Sequence, residues 1–507
     1  MHALNTGHTV AVIGAGAMGA GIAQVAASAG HPVIIYDKAP GAAEAGIAGI
    51  AKGLGRLVER GKLDTNDREA LLARLSAATE LSELAPATLV IEAILENLAI
   101  KQQVLAQVEA ICSTDCILAS NTSSISITSI AAGLQRPQNL AGLHFFNPAP
   151  VMKLVEVISG LDTDPAIADC LLATAGAWGK KAVHAKSTPG FIVNRLARPF
   201  YAEGLRLLEE GAADSATLDA LMRDAGGFRM GPFELMDLIG HDVNYAVTRS
   251  VFDAYYGDNR FTPSLTQQAL VEGGRLGRKS GRGFYDYAAD APRAEPATLS
   301  AGDQTAVDSI VVEGSLGPAD GLVTRLQDSG INVIRRDGPG LIRIADSVLM
   351  LSDGRMATER AATEGINNLV LFDLALDYRQ CRRLALSLAD QANADALAPV
   401  AALLAAAGIQ TSRLDDTPGL AVLRTVAMLA NEACDAVLQG VCSARDADTA
   451  MQFGVNYPAG PLAWAEQVGL AYIHRTLTHL QQSYGETRYR PSALLRRKAF
   501  SGESIHD

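Results

Sequence analysis

Thr9-Val10-Ala11-Val12-Ile13-Gly14-Ala15-Gly16-Ala17-Met18-Gly19-Ala20-Gly21 is the stretch that decides the fold. A five-residue apolar strand runs into a glycine turn, and the turn opens an apolar helical pattern that lasts to about Ala29. After Gly30 a second strand, 33–36, ends in Asp37. Strand, tight turn, helix, strand is one βαβ unit. A glycine pattern alone is a weak signal; the strand before it, the helix after it and the acid at the end of the next strand give it meaning. Gly14 permits the turn, Gly16 lets the backbone approach a pyrophosphate, and Gly19 lets the helix pack on the sheet, while the helix N-terminus supplies N–H donors and positive potential. Asp37 can accept both hydroxyls of a ribose and would repel a 2′-phosphate, which points to NAD rather than NADP. Lys38, beside it, is the residue that argues the other way.

The alternation continues outward. Residues 42–76 read as two helices broken at Gly61, with Asp64 as the N-cap of the second. Strands are expected at 89–91, 117–119, 140–144 and 154–158, around a helix at about 98–110. This predicts an α/β protein with an N-terminal Rossmann domain, a doubly wound sheet over 1–187. At Thr188-Pro189-Gly190 the pattern turns helical, and a loop at 277–283 closes a helical domain over 188–290. Residues 291–305, rich in Ala, Asp, Glu and Pro, read as a linker.

Thr188-Pro189-Gly190 recurs as Thr417-Pro418-Gly419, an offset of 229 (418 − 189). The same offset pairs Glu203 with Glu432, Gly211 with Gly440, Asp219 with Asp448, Gly231-Pro232 with Gly460-Pro461, and Gly240 with Gly469. Turn-fixing residues repeated at one spacing imply a repeated backbone path. A second helical domain is therefore expected over 413–507. Between the copies, 306–412 alternates short apolar runs (309–312, 331–334, 348–351, 368–371) with helical segments, as a degenerate Rossmann-like segment would. Its first turn, 313–318, lacks the full glycine fingerprint, and no histidine occurs between His241 and His474.

A chain of 507 residues is too long for one core, so two to four domains are expected. A net charge of −12 argues against nucleic acid and anionic membranes as main partners, while leaving room for a locally basic pocket for a phosphorylated ligand. The six cysteines form no Cys-x-x-Cys pair and are expected as free thiols in a reducing compartment. Residues 1–8 are too short and polar for a signal peptide, and the alanine-rich stretch 396–407 contains Pro399 and falls short of a membrane span. The expected location is cytoplasmic, and no metal site is expected.

Within the first sheet, His144-Phe145-Phe146-Asn147-Pro148 places an imidazole near a strand end, and Glu156 follows on the next strand. A base held by an acid, after a nicotinamide site, suits proton removal from an alcohol as its hydride leaves. A lone histidine after a strand is more often structural, so its neighbours carry the case. Ser120-Asn121-Thr122-Ser123-Ser124 precedes it, and Gly190-Phe191-Ile192-Val193-Asn194-Arg195 opens the helical domain. With the glycine fingerprint, these motifs closely resemble the 3-hydroxyacyl-CoA dehydrogenase family from about Thr9 to Tyr287. The tandem helical domain resembles the longer members of fatty-acid or phenylacetate breakdown, including 3-hydroxyadipyl-CoA dehydrogenases.

The resemblance implies NAD-dependent oxidation of an (S)-3-hydroxyacyl-CoA to the 3-oxoacyl-CoA, with the hydroxyadipyl thioester as one candidate substrate. It implies His144 as the base and Glu156 as its acidic partner. Ser123 would hydrogen-bond the substrate oxygen, and Asn194 would reach the substrate from the helical domain. Gly14, Gly16, Met18, Gly19 and Asp37 would cradle the cofactor, Glu96 and Lys101 would line its nicotinamide end, and Asn147 would stand near His144.

Plainer readings compete. Ser123 or Ser124 could cap the following helix, Asn194 could bond across a domain interface, and Glu156 could pair with Lys153, although strand alternation puts those two on opposite faces. Two other functions stay open: a two-domain dehydrogenase of a small hydroxy acid without CoA, and a non-catalytic NAD-binding homologue. Leu423 stands at the repeat position of Asn194, so one active site and one NAD are expected per chain. Nor is a hydratase-like segment read here, so a full multifunctional β-oxidation chain is not expected. Single-copy members dimerise through the helical domain, so the two copies are expected to form an internal pseudo-dimer, with further homo-oligomerisation left open.

Overall fold

Runs such as Thr9–Ile13, with four of five residues buried, make strands covered on both faces, as a parallel sheet requires. In the computed structural model, which describes residues 2–300 and 307–507, the first sheet has eight of them. They are β1 Thr9–Ile13, β2 Val33–Tyr36, β3 Leu75–Ala78, β4 Ala87–Glu92, β5 Ile117–Ser120, β6 Leu140–Phe145, β7 Leu154–Ser159 and β8 Lys181–Lys186, in the order β3-β2-β1-β4-β5-β6-β7-β8. Only β6 and β7 pair antiparallel. Helices α1 Ala17–Ser28, α2 Ala42–Glu59, α3 Thr65–Leu72, α4 Leu98–Ile111, α5 Ile127–Ala131 and α6 Pro165–Ala177 connect them. Asp64 caps α3 by accepting from the Asn66 amide.

The sequence reading missed β3 and β8. Leu-Ser-Ala-Ala carries no strand signature and continues a helical stretch; only pairing with β2 makes it a strand. Lys181–Lys186 is an edge strand with a lysine at each end, a pattern that protects an edge and weakens its sequence signal.

The chain divides into two compact units that do not follow chain order: Met1–Arg195 with Gln439–Val455, and Leu196–Leu438 with Asn456–Asp507. In the first unit, helix Ala444–Gly454, from the second helical copy, packs on β7 and β8. A Cβ on Gly454 would lie 2.6 Å from Leu154 Cδ2, so glycine permits that approach. The Lys186 amide donates to Val441 O at 2.8 Å, and Arg195 donates to Gln439 Oε1 at 2.9 Å.

The second unit holds a seven-stranded sheet: β9 Ser309–Glu313, β10 Asn332–Arg336, β11 Leu341–Ile344, β12 Ser347–Leu351, β13 Leu369–Phe372, β14 Arg383–Leu388 and β15 Gln410–Arg413, in the order β10-β9-β11-β12-β13-β14-β15. The antiparallel step between β13 and β14 repeats that between β6 and β7. In the place of β4 stands β11, antiparallel to both neighbours and joined to β12 by a two-residue turn with Ala345 at φ 50°. A hairpin thus replaces a helical crossover, which is how this sheet is reduced. The expected strands overlap β9, β10, β12 and β13; β11, β14 and β15 were not expected. Residues 301–305 of the expected linker, and residue 306 of the segment after it, lie outside the described residues.

In this unit helix α8, Arg198–Glu209, packs against helix Val422–Leu438 of the second copy. Arg424 and Glu203, both 0% exposed, meet at 2.7 Å, and Arg424 reaches Glu210 at 2.8 Å. Arg260 donates to Glu432 at 3.1 Å. Charges this deep are tolerated only when paired. Helix α9, Ser215–Asp224, lies on β14, and the Asp415 amide donates to Ala212 O at 2.9 Å.

Candidate active site

Strands β1, β4, β5 and β6 run the same way, so the sites at their C-terminal ends share one edge of the sheet, where open α/β sheets bind ligands. The glycine turn follows β1. Gly14 has φ +101°, and a Cβ there would lie 2.6 Å from Ala93 O; a Cβ on Gly19 would lie 1.8 Å from Gly14 O. At Gly16 an added Cβ meets nothing within 4 Å, which leaves the backbone open to a close ligand. Gly16 is the N-cap of α1 with no side-chain cap bond, so that helix start can face an anion. Asp37 closes the cradle: Oδ2 accepts from the Ala15 amide at 2.8 Å and Oδ1 from Ala39 at 2.9 Å. Met18 is half-buried against the core. These residues fit the pyrophosphate and ribose of NAD.

The edge of β4 and β5 carries a network the sequence disclosed only in part. Lys101, 1% exposed, donates to both oxygens of Glu92 at 2.9 Å and lies 3.3 Å from Glu96 Oε2. The Ser120 hydroxyl also donates to Glu92. Glu96 Oε1 accepts from the Thr122 hydroxyl at 2.6 Å, the Ser124 hydroxyl at 2.9 Å and the Ser123 amide at 3.2 Å. Burial alone would raise the Glu96 pKa, but Thr122, Lys101 and Ser124 outweigh it and leave the carboxyl below its ordinary range. Ser126, and neither Ser123 nor Ser124, caps α5. Ser124 is spent on Glu96, while Ser123 is exposed.

His144 and Glu156 are register partners across β6 and β7. Nδ1 of the imidazole lies 2.6 Å from Glu156 Oε2, with the residues 6% and 1% exposed. With Nδ1–H donated to the carboxylate, Nε2 is the acceptor. The other oxygen, Oε1, accepts from the amides of Ile192 at 3.0 Å and Val193 at 2.9 Å, at the start of α7, Val193–Leu196. One carboxylate therefore orients the ring and anchors the helix that carries Asn194. Asn194 Nδ2 lies 3.5 Å from Ser123 O. Rings of Phe146 and Phe191 flank the imidazole at 4.5 and 6.0 Å. Asn121 Oδ1 accepts from the Phe145 amide at 2.8 Å, and Asn147 lies exposed in the loop after β6.

Glu156 thus links His144 to the start of the helix that carries Asn194, Asn194 reaches the Ser123 carbonyl, and Glu96, paired with Lys101, holds the Ser123 amide. Sequence reasoning missed Glu92, Asn121, Thr122 and Ser124. Glu92 had a signal: an acid closing a buried apolar strand, nine residues before a lysine that also ends buried.

In the second unit the repeat positions of His144, Glu156 and Asn194 hold Asp373, Ala385 and Leu423. Asp373 accepts directly from the amides of Ala421, Val422 and Leu423 at 2.9, 2.7 and 3.0 Å. Burial pushes its pKa up to about 6 against those donors. The helix start keeps a carboxylate anchor without an imidazole. After β9, Asp320 accepts from the Ser315 hydroxyl and the Leu316 amide, each at 2.7 Å, so a carboxylate already stands at the turn that would face a phosphate.

Comparison with known proteins agrees in order and extent. Residues 9–188 match the 3-hydroxyacyl-CoA dehydrogenase NAD binding domain, residues 190–287 and 419–504 match its C-terminal domain, and residues 349–418 match the 3-hydroxybutyryl-CoA dehydrogenase reduced Rossmann-fold domain. The 3-hydroxyadipyl-CoA dehydrogenase of Escherichia coli K12 is 45% identical over 492 residues, 97% of each chain. A crystal structure of a 3-hydroxybutyryl-CoA dehydrogenase from Escherichia coli K12 superposes with a TM-score of 0.89 at 45% identity, covering 98% of this chain and all of that one. A probable 3-hydroxybutyryl-CoA dehydrogenase of Bacillus subtilis is 44% identical over 278 residues, 55% of this chain and 96% of its own.

Proposed function

The chain belongs to the 3-hydroxyacyl-CoA dehydrogenase family, and on that premise we propose that His144 is the base for NAD-dependent oxidation of (S)-3-hydroxyacyl-CoA thioesters and that the preferred acyl group is 3-hydroxyadipyl. The observation that carries the mechanism is the double use of Glu156, with Oε2 on His144 Nδ1 at 2.6 Å and Oε1 on the amides of α7. Neutral His144 takes the 3-hydroxyl proton on Nε2. Glu156 holds the tautomer beforehand and stabilises the imidazolium afterwards. Ser123 holds the reacting oxygen and Asn194 the thioester carbonyl, so that the reactive geometry is populated. Bound NAD supplies the hydride acceptor. Gly14, Gly16 and Gly19 make room for it, Asp37 takes the ribose, and Glu96 and Lys101 line the nicotinamide end.

The substrate choice rests on the likeness to the 3-hydroxyadipyl-CoA dehydrogenase of Escherichia coli K12 over 97% of each chain; the crystal structure that superposes on 98% of this chain is of a 3-hydroxybutyryl-CoA dehydrogenase. A panel of 3-hydroxybutyryl-, longer 3-hydroxyacyl- and 3-hydroxyadipyl-CoA, with the free hydroxy acids alongside, tests both parts. NADH formation from the thioesters and highest kcat/KM for hydroxyadipyl-CoA are expected. Turnover of the free acids at equal efficiency would refute the CoA assignment.

The reading includes an internal pseudo-dimer and a reducing, cytoplasmic setting for the six thiols. Two reciprocal pairs of contacts support the pseudo-dimer. Arg195 to Gln439 and Arg424 to Glu210 exchange places under the 229-residue offset, as do Lys186 to Val441 and Asp415 to Ala212. Residue i meeting j′ while j meets i′ is the signature of a two-fold interface. Deleting 413–507 should yield aggregation or a new homodimer in sedimentation; a stable, active monomer would refute it.

A further inference from the structure

Glu92 closes β4 fully buried, and both of its carboxylate oxygens are taken twice. Oε1 accepts from Lys101 Nζ and the Ser120 hydroxyl, and Oε2 from Lys101 Nζ and the Ile94 amide. A carboxylate this deep persists only with such pairing. What the pairing holds is the segment after β5. The Ser120 hydroxyl, bound to Glu92, accepts from the Thr122 amide at 3.2 Å. Lys101, bound to Glu92, lies 3.3 Å from Glu96 Oε2. Glu96 Oε1 in turn gathers the Thr122 and Ser124 hydroxyls and the amides of Ser123 and Ser124. Ser123 is exposed in the middle of that loop, its amide fastened to Glu96 at 3.2 Å. Asn121 is held separately. Its amide donates to the main-chain carbonyl of Glu92 at 2.9 Å, and its Oδ1 accepts from the Phe145 amide at 2.8 Å. The Glu92 side chain therefore bears on Ser123, while main-chain bonding fixes the strand end beside His144.

We propose that Glu92 is a positioning residue for the reaction, setting Ser123 at the substrate oxygen through two relays, Ser120 to Thr122 and Lys101 to Glu96. This rests on the role given to Ser123 under the proposed function. The charge is required as well as the shape. Because Lys101 bonds both oxygens, an amide at position 92 turns its NH₂ against the ammonium in either orientation, and against Ser120 or Ile94 besides. The second sheet supplies a contrast. Ser352 stands at the repeat position of Ser123 (352 − 123 = 229). In that sheet β11 replaces β4 and runs the opposite way, so its C-terminal end brings no carboxylate to the serine's edge. There Ser352 is fully buried. The serine is presented where the carboxylate underlies it and buried where the carboxylate is missing.

The test is a double-mutant cycle on kcat in the full-length chain: Glu92→Gln, Ser123→Ala and the two combined. The substrate is 3-hydroxybutyryl-CoA, saturating with NAD, and calorimetric NAD titration sets the active fraction of each variant. Misplacing a reacting group by about 1 Å costs up to about a hundredfold, so Glu92→Gln alone should lower kcat by roughly ten- to a hundredfold. In the Ser123→Ala background the same change should cost less than about threefold, because the group it positions is gone. Ser120→Ala cuts one relay without unpairing a buried charge. It should show the same dependence on Ser123, and it carries the test if Glu92→Gln does not fold. A purely structural role predicts an equal fold-loss in both backgrounds, and that result overturns the role of Glu92 alone. A Ser123→Ala variant with wild-type kcat overturns the assignment of Ser123 itself.

Discussion

Replacing Glu156 by glutamine changes one oxygen to an amide nitrogen, and the structure determines which one. Oε1 faces two backbone donors, Ile192 and Val193, and Oε2 faces His144 Nδ1. The amide oxygen must occupy the Oε1 position, because an NH₂ group there would oppose two buried N–H groups at about 1–3 kcal/mol each. The NH₂ then points at Nδ1 and makes that nitrogen the acceptor. The ring proton moves to Nε2, where a base is required. A wrong tautomer in an otherwise intact site costs about four powers of ten in the analogous serine-protease triad. Simple loss of a charge-assisted hydrogen bond, about 1.5–3 kcal/mol, would cost only about one to two. Glu156→Gln should therefore lower kcat by roughly 10³- to 10⁴-fold while the fold and NAD binding persist, because the anchor on α7 survives. The assay is NADH absorbance with 3-hydroxybutyryl-CoA at saturating NAD, with calorimetric NAD titration and thermal melting as controls. A kcat within tenfold of wild type, in a variant that melts normally, would refute the tautomer argument.

His144→Gln should lower turnover by about two to four powers of ten with NAD affinity nearly intact; wild-type-like NADH formation would exclude it as the base. Asp37→Ala should weaken NAD binding about tenfold or more and narrow the discrimination against NADP; if the wild type already prefers NADP by titration, the ribose assignment is wrong. Calorimetry should give one NAD per chain, since the turn after β9 is closed by Asp320; two equivalent sites would contradict this. Glu96 has a lowered pKa in the folded protein, so its stabilisation is present above the unfolded carboxyl value of about 4.3 and is lost as pH falls through the lower folded value. Glu96→Gln should accordingly flatten the fall of Tm between about pH 5 and 3; an unchanged acid limb would remove Glu96 from the linkage.

Much of this protein is written locally. The run from Thr9 to Asp37 specifies strand, turn, helix and strand within reach of a few hydrogen bonds, and its glycines are required by contacts with Ala93 and with Gly14 itself. Local pattern placed His144 and Glu156 on successive strands, the family resemblance of the surrounding motifs paired them, and the 229-residue offset was enough to find the second helical copy. What sequence could not decide is which edges and faces would be left uncovered, because that depends on contacts between residues far apart in the chain. Leu75–Ala78 becomes a strand only because β2 offers an open edge. β11 could be told from a β4 equivalent only by the hairpin that turns it around. Glu92 is bound to Lys101 because the end of β4 and the first turn of α4 enclose both. Glu156 also anchors α7, a role that needed the position of Ile192 and Val193 in space. Residues 439–455 belong with the first sheet, although the chain reaches them only after the second, because helix Ala444–Gly454 covers β7 and β8. Local pattern encodes dihedral preference and the buried face of each element; the partner of that face emerges only when all the elements compete for it at once.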